Sequence, residues 1–303
     1  MNPQFLMDGL IAGSIIGLGA VGVTLTYSIL RFSNFAHGEL LSWGAYIALA
    51  VSSALGYLAT DLTSPIGPFS FGWSLPLGML LAIMLTGLLA LAVDALLFSS
   101  FRRRGSAVII MVMASFGASL ALRSLLEFIF TSSPAYFTNA LQIAMKLGGG
   151  LRATPDQLLM LALAAIAVIV VHLLMTRTDI GRAMRAVSEN PALASIAGID
   201  VRRVIRTAWF LGAALACVAG VMSGLLIQIR PYLGHDLLLP LFAAAILGGI
   251  GSVPGAMLAG LIIGLCEALA VQLVGAEWRA AVAFVILIAV LLARPRGLFG
   301  RVA

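Results

Sequence analysis

The sequence predicts an all-α polytopic membrane protein of about nine transmembrane helices, with eight to ten possible, and a short helix in one cytoplasmic loop. Of the 303 residues, 61% are hydrophobic and 10% are charged, whereas a soluble domain is about 25% charged. The mean hydropathy is +1.10, so the apolar surface exceeds what a soluble core of this size can bury. The apolar residues are also grouped in runs as long as a membrane-spanning helix.

Nine apolar segments follow one another along the chain. Most of them approach or exceed the roughly 20 residues that a spanning helix requires. The segments lie at 7–30, 38–58, 75–99, 106–130, 157–176, 203–229, 236–250, 254–274 and 278–293. The seventh is shorter than the others, so it is interpreted as a tilted span, a broken helix or a re-entrant piece. The whole chain, 1–303, is predicted to form a single transmembrane domain.

Arginines predict how these segments are oriented. They cluster after the third segment, between the fifth and sixth, and after the ninth. The positions are Arg31; Arg102, Arg103 and Arg104; Arg177, Arg182, Arg185, Arg202, Arg203 and Arg206; and Arg294, Arg296 and Arg301. If the segments cross alternately, all of these residues lie on one side, and the positive-inside rule makes that side the cytoplasm. The N-terminus is then outside and the C-terminus inside, which requires an odd number of crossings and favours nine.

The charge and the cysteines exclude several function classes. The net charge of +6 comes almost wholly from arginines, so it indicates membrane orientation and not nucleic-acid binding. Cys217 and Cys266 lie within apolar runs and lack the spacing of metal ligands. Lys146, the one lysine, does not belong to a Gly-Lys-[Ser/Thr] phosphate-binding loop. We therefore expect no metal, no cofactor, no nucleic-acid partner, no catalytic residue and no ATPase site in this chain.

A charged stretch, GRAMRAVSENPALASIAGID (181–200), separates two long apolar segments. Asn190 is a typical helix N-cap and Pro191 suits the first helical position, while Gly198 is a typical helix stop. The sequence therefore predicts one short helix after Asn190 and another before it. With small side chains on its surface, this stretch suits insertion into a groove of another protein. The alternative is an amphipathic segment that lies on lipid headgroups.

Ionisable residues within the apolar segments are candidate functional residues, because charge is costly inside a bilayer. Arg123 and Glu127 are four residues apart and are predicted to pair along one helix face. Asp94 lies near the arginines that follow the third segment and is predicted to pair with them or to snorkel. Glu267 lies deeper in its segment and is the best single candidate for a polar contact inside the protein.

The break between the first two segments, RFSNFAHGE (31–39), carries Asn34, His37 and Glu39. A broken helix can bring polar backbone groups to the edge of a cavity. The alternative is that these side chains cap and pack the helices on either side.

Glycines recur at a four-residue spacing in the first segment and near the eighth. They are Gly9, Gly13 and Gly17, then Gly251 and Gly255, and Gly260 and Gly264. Small residues at this spacing allow helix backbones to approach closely in lipid. We therefore expect tight helix packing here, with the lining of a narrow pathway as the alternative.

Four stretches together resemble one transporter family: YSILRFSNFAHGELLSWGAYIA (27–48), RAVSENPALASIAGIDV (185–201), ILGGIGSVPGAMLAGLIIGLCEAL (246–269) and RPRGLFG (294–300). They are similar to the first-loop signature, the cytoplasmic coupling loop, the glycine-rich signature and the tail of the branched-chain amino acid permeases of ABC importers. The resemblance runs in order over nearly the whole chain. It matches the general Glu-Ala-Ala…Gly coupling motif only loosely, because Asn-Pro and a leucine intervene.

The resemblance implies the partners and the location. A second, related permease subunit would complete the membrane path, two ATP-binding subunits would dock below, and a periplasmic or extracellular solute-binding protein would deliver the solute. The coupling loop, about 177–206, would sit in a groove of the ATPase. Its contact residues would be Glu189, Asn190, Pro191, Ala192, Ala194 and Gly198. The location would be the lipid bilayer of the inner membrane of a bacterial cell.

The resemblance also implies the solute, a branched-chain amino acid or a related small polar compound. The candidate pathway residues are Asn34, His37, Glu39 and Glu267. Because members of the family also import urea, short amides or aromatic acids, those solutes stay open. A rival of another class, an ion-coupled secondary transporter, would use a carboxylate near broken helices at mid-membrane, and only Glu267 fits. An intramembrane enzyme lacks a catalytic set.

Overall fold

The computed structural model describes residues 3–138, 140, 142–293 and 297–299. In this part of the chain, helices account for almost all of the regular structure. The α-helices are α1 Gln4–Leu30, α2 Ala36–Leu58, α3 Ser74–Val93, α4 Ser99–Arg103, α5 Val108–Phe130, α6 Pro155–Arg177, α7 Asp179–Glu189, α8 Pro191–Ile196, α9 Val201–Leu226, α10 Leu233–Gly248, α11 Val253–Leu273 and α12 Arg279–Ala293. The predicted arginine cluster Arg294, Arg296 and Arg301 lies outside the described residues.

Seven helices in the described ranges are long and apolar enough to cross a membrane. They are α1, α2, the continuous helix Ser74–Arg103, α5, α6, α9 and α11. Two further apolar helices are shorter: α10 has 16 residues and contains Pro240, and α12 has 15. The helical, multi-span class predicted from the sequence is therefore confirmed, while the count of nine crossings stays a prediction.

The description as wholly α-helical is wrong in one connection. Between α5 and α6, strands β1 (Met145–Gly148) and β2 (Leu151–Ala153) form an antiparallel hairpin. Gly149 and Gly150 lie between the strands with φ of 60° and 83°, a backbone region that glycine adopts without a steric penalty. The hydropathy pattern gave no sign of this hairpin, because it is too short to bury a face of its own.

The first helix lies at the centre of the fold. In the most apolar 18-residue window of α1, 89% of the residues are buried, and α1 packs against α6, α9, α10 and α11. A Cβ atom placed on Gly13 would lie 2.7 Å from Cα of Leu261. A Cβ on Gly260 or Gly264 would likewise collide with the backbone of α1. The predicted close packing at the spaced glycines is therefore confirmed for α1 and α11.

The helix α5 lies at the edge of the fold, with α2 as its principal neighbour. Only 22% of its apolar window is buried. A stripe of α5 residues faces the protein: Met111, Ser115, Ser119, Leu122, Arg123 and Leu126. Trp43 of α2 fixes the pair by donating a hydrogen bond from Nε1 to the carbonyl of Leu122 at 3.1 Å. The rest of α5 leaves a broad surface that no other described part of the chain covers.

Asp94 opens a π-helical turn, Asp94–Phe98, that joins α3 to α4. The Arg102 guanidinium donates to both oxygens of the Asp94 carboxylate, at 2.6 and 2.9 Å. The predicted pairing of Asp94 with a following arginine is thus confirmed. A bidentate pair of this kind fixes the relative orientation of the two side chains as well as pairing their charges. It connects the last turns of the Ser74–Arg103 helix.

Candidate functional site

The predicted coupling loop folds as two short helices separated by one capping residue. Thr178 caps α7, and its Oγ1 accepts a hydrogen bond from the N–H of Gly181. Asn190 caps α8, with Oδ1 accepting from the N–H groups of Ala192 and Leu193 at 3.0 Å each. Gly198 has a φ of +85° and ends the turn after α8. The predicted helix start and stop signals are confirmed.

The outward surface of α8 is more apolar than the sequence suggested. Leu193 is 63% exposed and Ile196 is 84% exposed. Of the predicted contact residues, all but one are exposed: Glu189, Asn190, Pro191, Ala192 and Gly198. Ala194 is the exception, since it is 4% exposed and packs in the hydrophobic core. Its methyl group therefore anchors α8. Leu193 and Ile196 form the exposed surface of this helix, which we call the tip of α8.

The two helices are tied firmly to the body of the protein. Met184 and Val187 of α7 are buried in the core. Arg185 donates a hydrogen bond to the carbonyl of Met175 at the end of α6. Arg31, at the end of α1, donates one to the carbonyl of Ser188. Hydrogen bonds therefore link α7 to the ends of both α1 and α6.

Arg31 also begins the non-helical link between α1 and α2. It adopts a left-handed conformation, φ 58°, and ends α1. The N–H of Phe35 donates to Oγ of Ser115 on α5 at 3.1 Å. Asn34 is 4% exposed and accepts from the N–H of Ala36 through Oδ1 at 3.2 Å, so its side chain satisfies the first N–H of α2, whose N-cap residue is Phe35. The capping alternative predicted for this break is therefore observed for Asn34.

Glu39, in the first turn of α2, is the centre of a buried polar cluster. Its Oε1 accepts hydrogen bonds from Oγ of Ser119 at 2.9 Å and from Nη2 and Nε of Arg123 at 2.9 and 3.3 Å. The predicted partner of Arg123 is thus wrong, because the arginine pairs across helices with Glu39 and, within the described chain, forms no ion pair with Glu127. Glu39 is 1% exposed.

The start of α10 completes this cluster. Nη2 of Arg123 lies 2.9 Å from Nδ1 of His235, and because arginine has no acceptor, the imidazole nitrogen accepts. The guanidinium also lies over the ring of Tyr232, 5.0 Å from its centroid, in a cation–π contact. We call Glu39, Ser119, Arg123, Tyr232 and His235 the polar junction, since α2, α5 and α10 meet there.

Close backbone contact brings the first turns of α2 and α10 together. A Cβ on Gly38 would lie 2.7 Å from the carbonyl oxygen of Gly234. Ser42 bridges the two elements, donating to the carbonyl of Pro231 at 3.0 Å and accepting from the N–H of Gly234 at 2.9 Å. Two helix N-termini, each with a partial positive charge, therefore meet inside the protein beside Arg123.

His37 and Glu267 lie away from the polar junction. His37 is fully buried, and its ring packs against Gly22 of α1 and Gly212 of α9. Glu267 is 2% exposed and accepts from Nε of Arg279 at 2.8 Å. This pair lies beside a cavity of about 360 Å³ lined by Gln4, Phe5, Asp8, Ala12, Ala268, Val271, Gln272 and Arg279. The four predicted pathway residues therefore occupy separate places, and only Glu39 belongs to the junction.

Comparison with known proteins identifies the family. The family described as branched-chain amino acid transport system / permease component matches residues 5–291. The chain belongs to this family. It is 32% identical to the high-affinity branched-chain amino acid transport system permease protein LivH of Escherichia coli K12, over 99% of this chain and 98% of LivH. It is 33% identical to the corresponding protein BraD of Pseudomonas aeruginosa, over 98% of this chain and 95% of BraD.

The fold also has a solved counterpart. A chain of PsaBC from Streptococcus pneumoniae, determined in complex with Fab, superposes with a TM-score of 0.51. The match covers 97% of this chain and 93% of that chain at 14% sequence identity. The likeness therefore concerns the arrangement of helices along the whole chain.

Sequence reasoning missed three parts of the junction. Ser119, Tyr232 and the contact between the starts of α2 and α10 carry no local motif. The available signals were weak: Glu39 and Arg123 are opposite charges in different apolar segments, and His235 immediately precedes the short seventh segment. An unmatched pair of intramembrane charges is a reason to expect mutual contact.

Proposed function

We propose that this chain is a permease subunit of an ABC importer for branched-chain amino acids, driven by separate ATPase subunits. The main support is sequence identity: the chain is 32% identical to LivH and 33% identical to BraD, over nearly the full length of this chain and of each relative. Urea, short amides and aromatic acids remain alternative solutes, because sequence identity at this level does not fix a solute. The energy source is assigned to another chain since Lys146, the one lysine, lies outside any Gly-Lys-[Ser/Thr] loop.

In the proposed topology the chain crosses a bacterial inner membrane nine times, with the N-terminus outside and the C-terminus in the cytoplasm. The seven long apolar helices would be joined by α10 and α12 as tilted or shorter crossings. The basic residues after α4 and around α7 then face the cytoplasm, in agreement with the positive-inside rule. The hairpin of β1 and β2 would lie outside.

The coupling element in this proposal is α8 with its cap, from Glu189 to Gly198. Leu193 and Ile196 would enter a groove of the ATPase, because two exposed aliphatic side chains on a six-residue helix suit a protein pocket. The anchoring of α7 in the core supports a rigid connection. Closure of the ATPase dimer would then move α7 and α8 as one body.

The path of the motion would follow the link between α1 and α2. Arg31 contacts the carbonyl of Ser188 beside the coupling element. Eight residues later along the chain, Glu39 lies in the polar junction. A shift of α7 would thus reach the starts of α2 and α10 through a short stretch of backbone. Asn34 and His37, which cap and pack this link, would act as positioning residues for the pathway.

The membrane path itself is proposed to form between this chain and a second, related permease subunit. Support comes from exposed charged and polar groups on α5 and around the start of α10, namely Ser124, Arg230, His235 and Asp236. The charged members of this set are costly to place against lipid tails, so they would meet water or protein. Glu267, paired with Arg279 near the predicted outer end of α1, would stabilise an outer region of the bundle.

A reconstitution experiment tests the proposed function. The chain is placed in proteoliposomes with its ATPase subunits, partner permease and binding protein, and uptake of labelled leucine, urea and phenylalanine is measured. We expect ATP-dependent uptake of leucine and none without the ATPase subunits. Uptake of leucine driven by an ion gradient alone would assign the chain to the secondary transporters, and uptake of urea or phenylalanine in place of leucine would assign another solute.

A further inference from the structure

We propose that Glu39 and Arg123 form a latent site for a zwitterion, in which each charge holds the other until the solute replaces it. In the transport step the solute ammonium would bind Glu39 and the solute carboxylate would bind Arg123. The inference rests on the proposed function, because it requires that an α-amino acid pass through this chain. Glu39 and Arg123 would then recognise the solute within the membrane, after the binding protein has delivered it.

The incomplete pairing of the two groups is the first observation. Nε and Nη2 of Arg123 both donate to one oxygen of Glu39, Oε1. The other oxygen, Oε2, is buried and has no hydrogen-bond partner in the described chain. Nη1 of Arg123 likewise makes no hydrogen bond to a described residue, whereas Nε and Nη2 do. One acceptor and one donor group of the pair are therefore unused, and a buried acceptor without a partner is unfavourable.

The location is the second observation. Arg123 is 9% exposed, so the pair lies just below the surface of the chain. Beside it, at the start of α10, Tyr232 is 48% exposed and His235 is exposed. Asp236 and Arg230, which are also exposed, form an ion pair at 2.9 Å next to these residues. Because charges of this number do not face lipid tails, this exposed group would border the path between the two permease subunits.

The helix ends supply the third observation. The N-terminal turns of α2 and α10 meet at Gly38 and Gly234, directly beside the pair. The partial positive charge of helix N-termini favours an anion. While Glu39 and Arg123 are paired, the Glu39 carboxylate is that anion. Once Glu39 binds the solute ammonium, the solute carboxylate would take the place of the Glu39 carboxylate near Arg123. Helix N-termini at a break serve anionic groups in this way in membrane transporters.

Charge balance explains why such a pair suits an amino acid. The closed pair is neutral and so is a zwitterion, so their exchange brings no net charge into the membrane. One internal ion pair is lost and two are formed, which offsets the cost of removing the solute from water. A neutral solute such as urea offers no charge to either partner, so the pair favours the amino acid over that class.

The test measures leucine taken up per ATP hydrolysed, in the reconstituted importer described above. Two variants, Glu39→Gln and Arg123→Gln, are compared with the wild type. ATP hydrolysis is measured beside uptake in each variant, so that the number of leucines taken up per ATP is compared and not the rate of uptake alone. Uptake per ATP should fall at least tenfold, since the solute finds only one of its two charges matched. Arg123→Lys, which keeps the charge, should recover part of the ratio.

A matched control is a second partly buried ion pair, Asp94 with Arg102. Two hydrogen bonds join Asp94 to Arg102 near the end of the Ser74–Arg103 helix. Neither residue belongs to the polar junction. The double variant Asp94→Asn with Arg102→Gln should keep the wild-type ratio of uptake to hydrolysis. An equal fall in this control would overturn the proposal, because loss of any ion pair would then uncouple the importer.

Misfolding of the single variants is covered by removing both charges together. The double variant Glu39→Gln with Arg123→Gln leaves no unpaired charge, and it should show the same fall in uptake per ATP. A wild-type ratio in this variant, or failure of every variant to assemble, assigns the pair to structure and overturns the proposal. Absence of leucine uptake by the wild type instead contradicts the proposed function, so the two failures are distinguishable.

Discussion

The helices α1 and α5 have similar hydropathies, 1.8 and 1.9, yet they have opposite environments in the fold. The apolar window of α1 is 89% buried and that of α5 is 22% buried. α1 meets its neighbours through glycines, with backbone against backbone. α5 is held to α2 by a line of polar contacts through Ser115, Ser119 and Arg123. The comparison indicates a fixed scaffold around α1 and a separable element at α5.

Polar contacts make α5 easier to move than α1. Interhelical hydrogen bonds in membranes are worth about 0.6 kcal/mol each on average, and a new partner can replace each one. Close backbone packing has no such substitute, because a displaced glycine contact leaves a void. The part of the fold that binds and switches would therefore be at the α2, α5 and α10 contact, supported by the rigid α1 and α11 pair.

The largest expected effect comes from a leucine placed at Gly13. The added side chain would meet Cα of Leu261 and the carbonyl of Gly260, at 2.7 and 3.0 Å from its Cβ. We expect a loss of about 3 kcal/mol or more, seen as aggregation in size-exclusion chromatography. The matched control is Gly117→Leu on α5, where the added Cβ has no atom within 4 Å. If both variants stay monodisperse with the wild-type Tm, the scaffold role of α1 is wrong.

The next effect concerns the exposed tip of α8. Ile196→Glu places a charge on a side chain that is 84% exposed, so the fold should be kept. The charged side chain should no longer fit an apolar groove of the ATPase. We expect at least tenfold weaker co-purification of the ATPase subunits, or about 1.4 kcal/mol. Ala194→Glu is the contrasting variant, and since Ala194 is 4% exposed, it should lower the Tm. Undiminished ATPase binding by Ile196→Glu would rule out docking through this tip.

A smaller effect is expected for the cap of α8. Asn190→Ala removes the acceptor of two N–H groups and should weaken the helix by about 1 kcal/mol. Hydrogen exchange should become faster at Ala192 and Leu193 and stay unchanged in α1. Asn190→Asp, which keeps the acceptor, is the control. Equal exchange in the alanine variant and the wild type would mean that the body of the protein, and not the cap, holds α8.

The smallest effect tests how loosely α5 is held. Ser119→Ala deletes one of the hydrogen bonds to Glu39 and should cost about 0.6 kcal/mol, a small decrease in Tm. Ser124→Ala changes an exposed hydroxyl on the same helix and should leave the Tm unchanged. A large loss of stability from Ser119→Ala alone would show that α5 belongs to the rigid scaffold.

The sequence predicted those parts of the fold that depend on local or periodic signals. The long apolar runs gave the helices, and the spaced glycines gave the contact of α1 with α11. Asn190, Pro191 and Gly198 gave the bounds of α8, because capping is a local property of the backbone. The site was less accessible, since the pairing of Glu39 with Arg123 joins residues 84 positions apart. A local i,i+4 rule pointed to Glu127 instead.

Exposure was the other feature that the sequence did not reveal. Alanines near Asn190 suggested a surface of small side chains, yet Ala194 faces inward and Leu193 and Ile196 face outward. The direction of a short helix is decided by where its neighbours are anchored, here by Met184 and Val187 of α7. Such anchoring is a tertiary property, which no window of the sequence contains.

The enclosure of α1 has a consequence for biogenesis. Residues 31–252 separate α1 from α11, the helix that covers its glycines. During synthesis α1 therefore enters the bilayer long before α11 has left the ribosome. Until α11 is inserted, lipid must cover the glycines of α1. Contacts so distant in sequence form late. The nascent permease is thus expected to be most vulnerable to membrane proteases until α11 has been inserted.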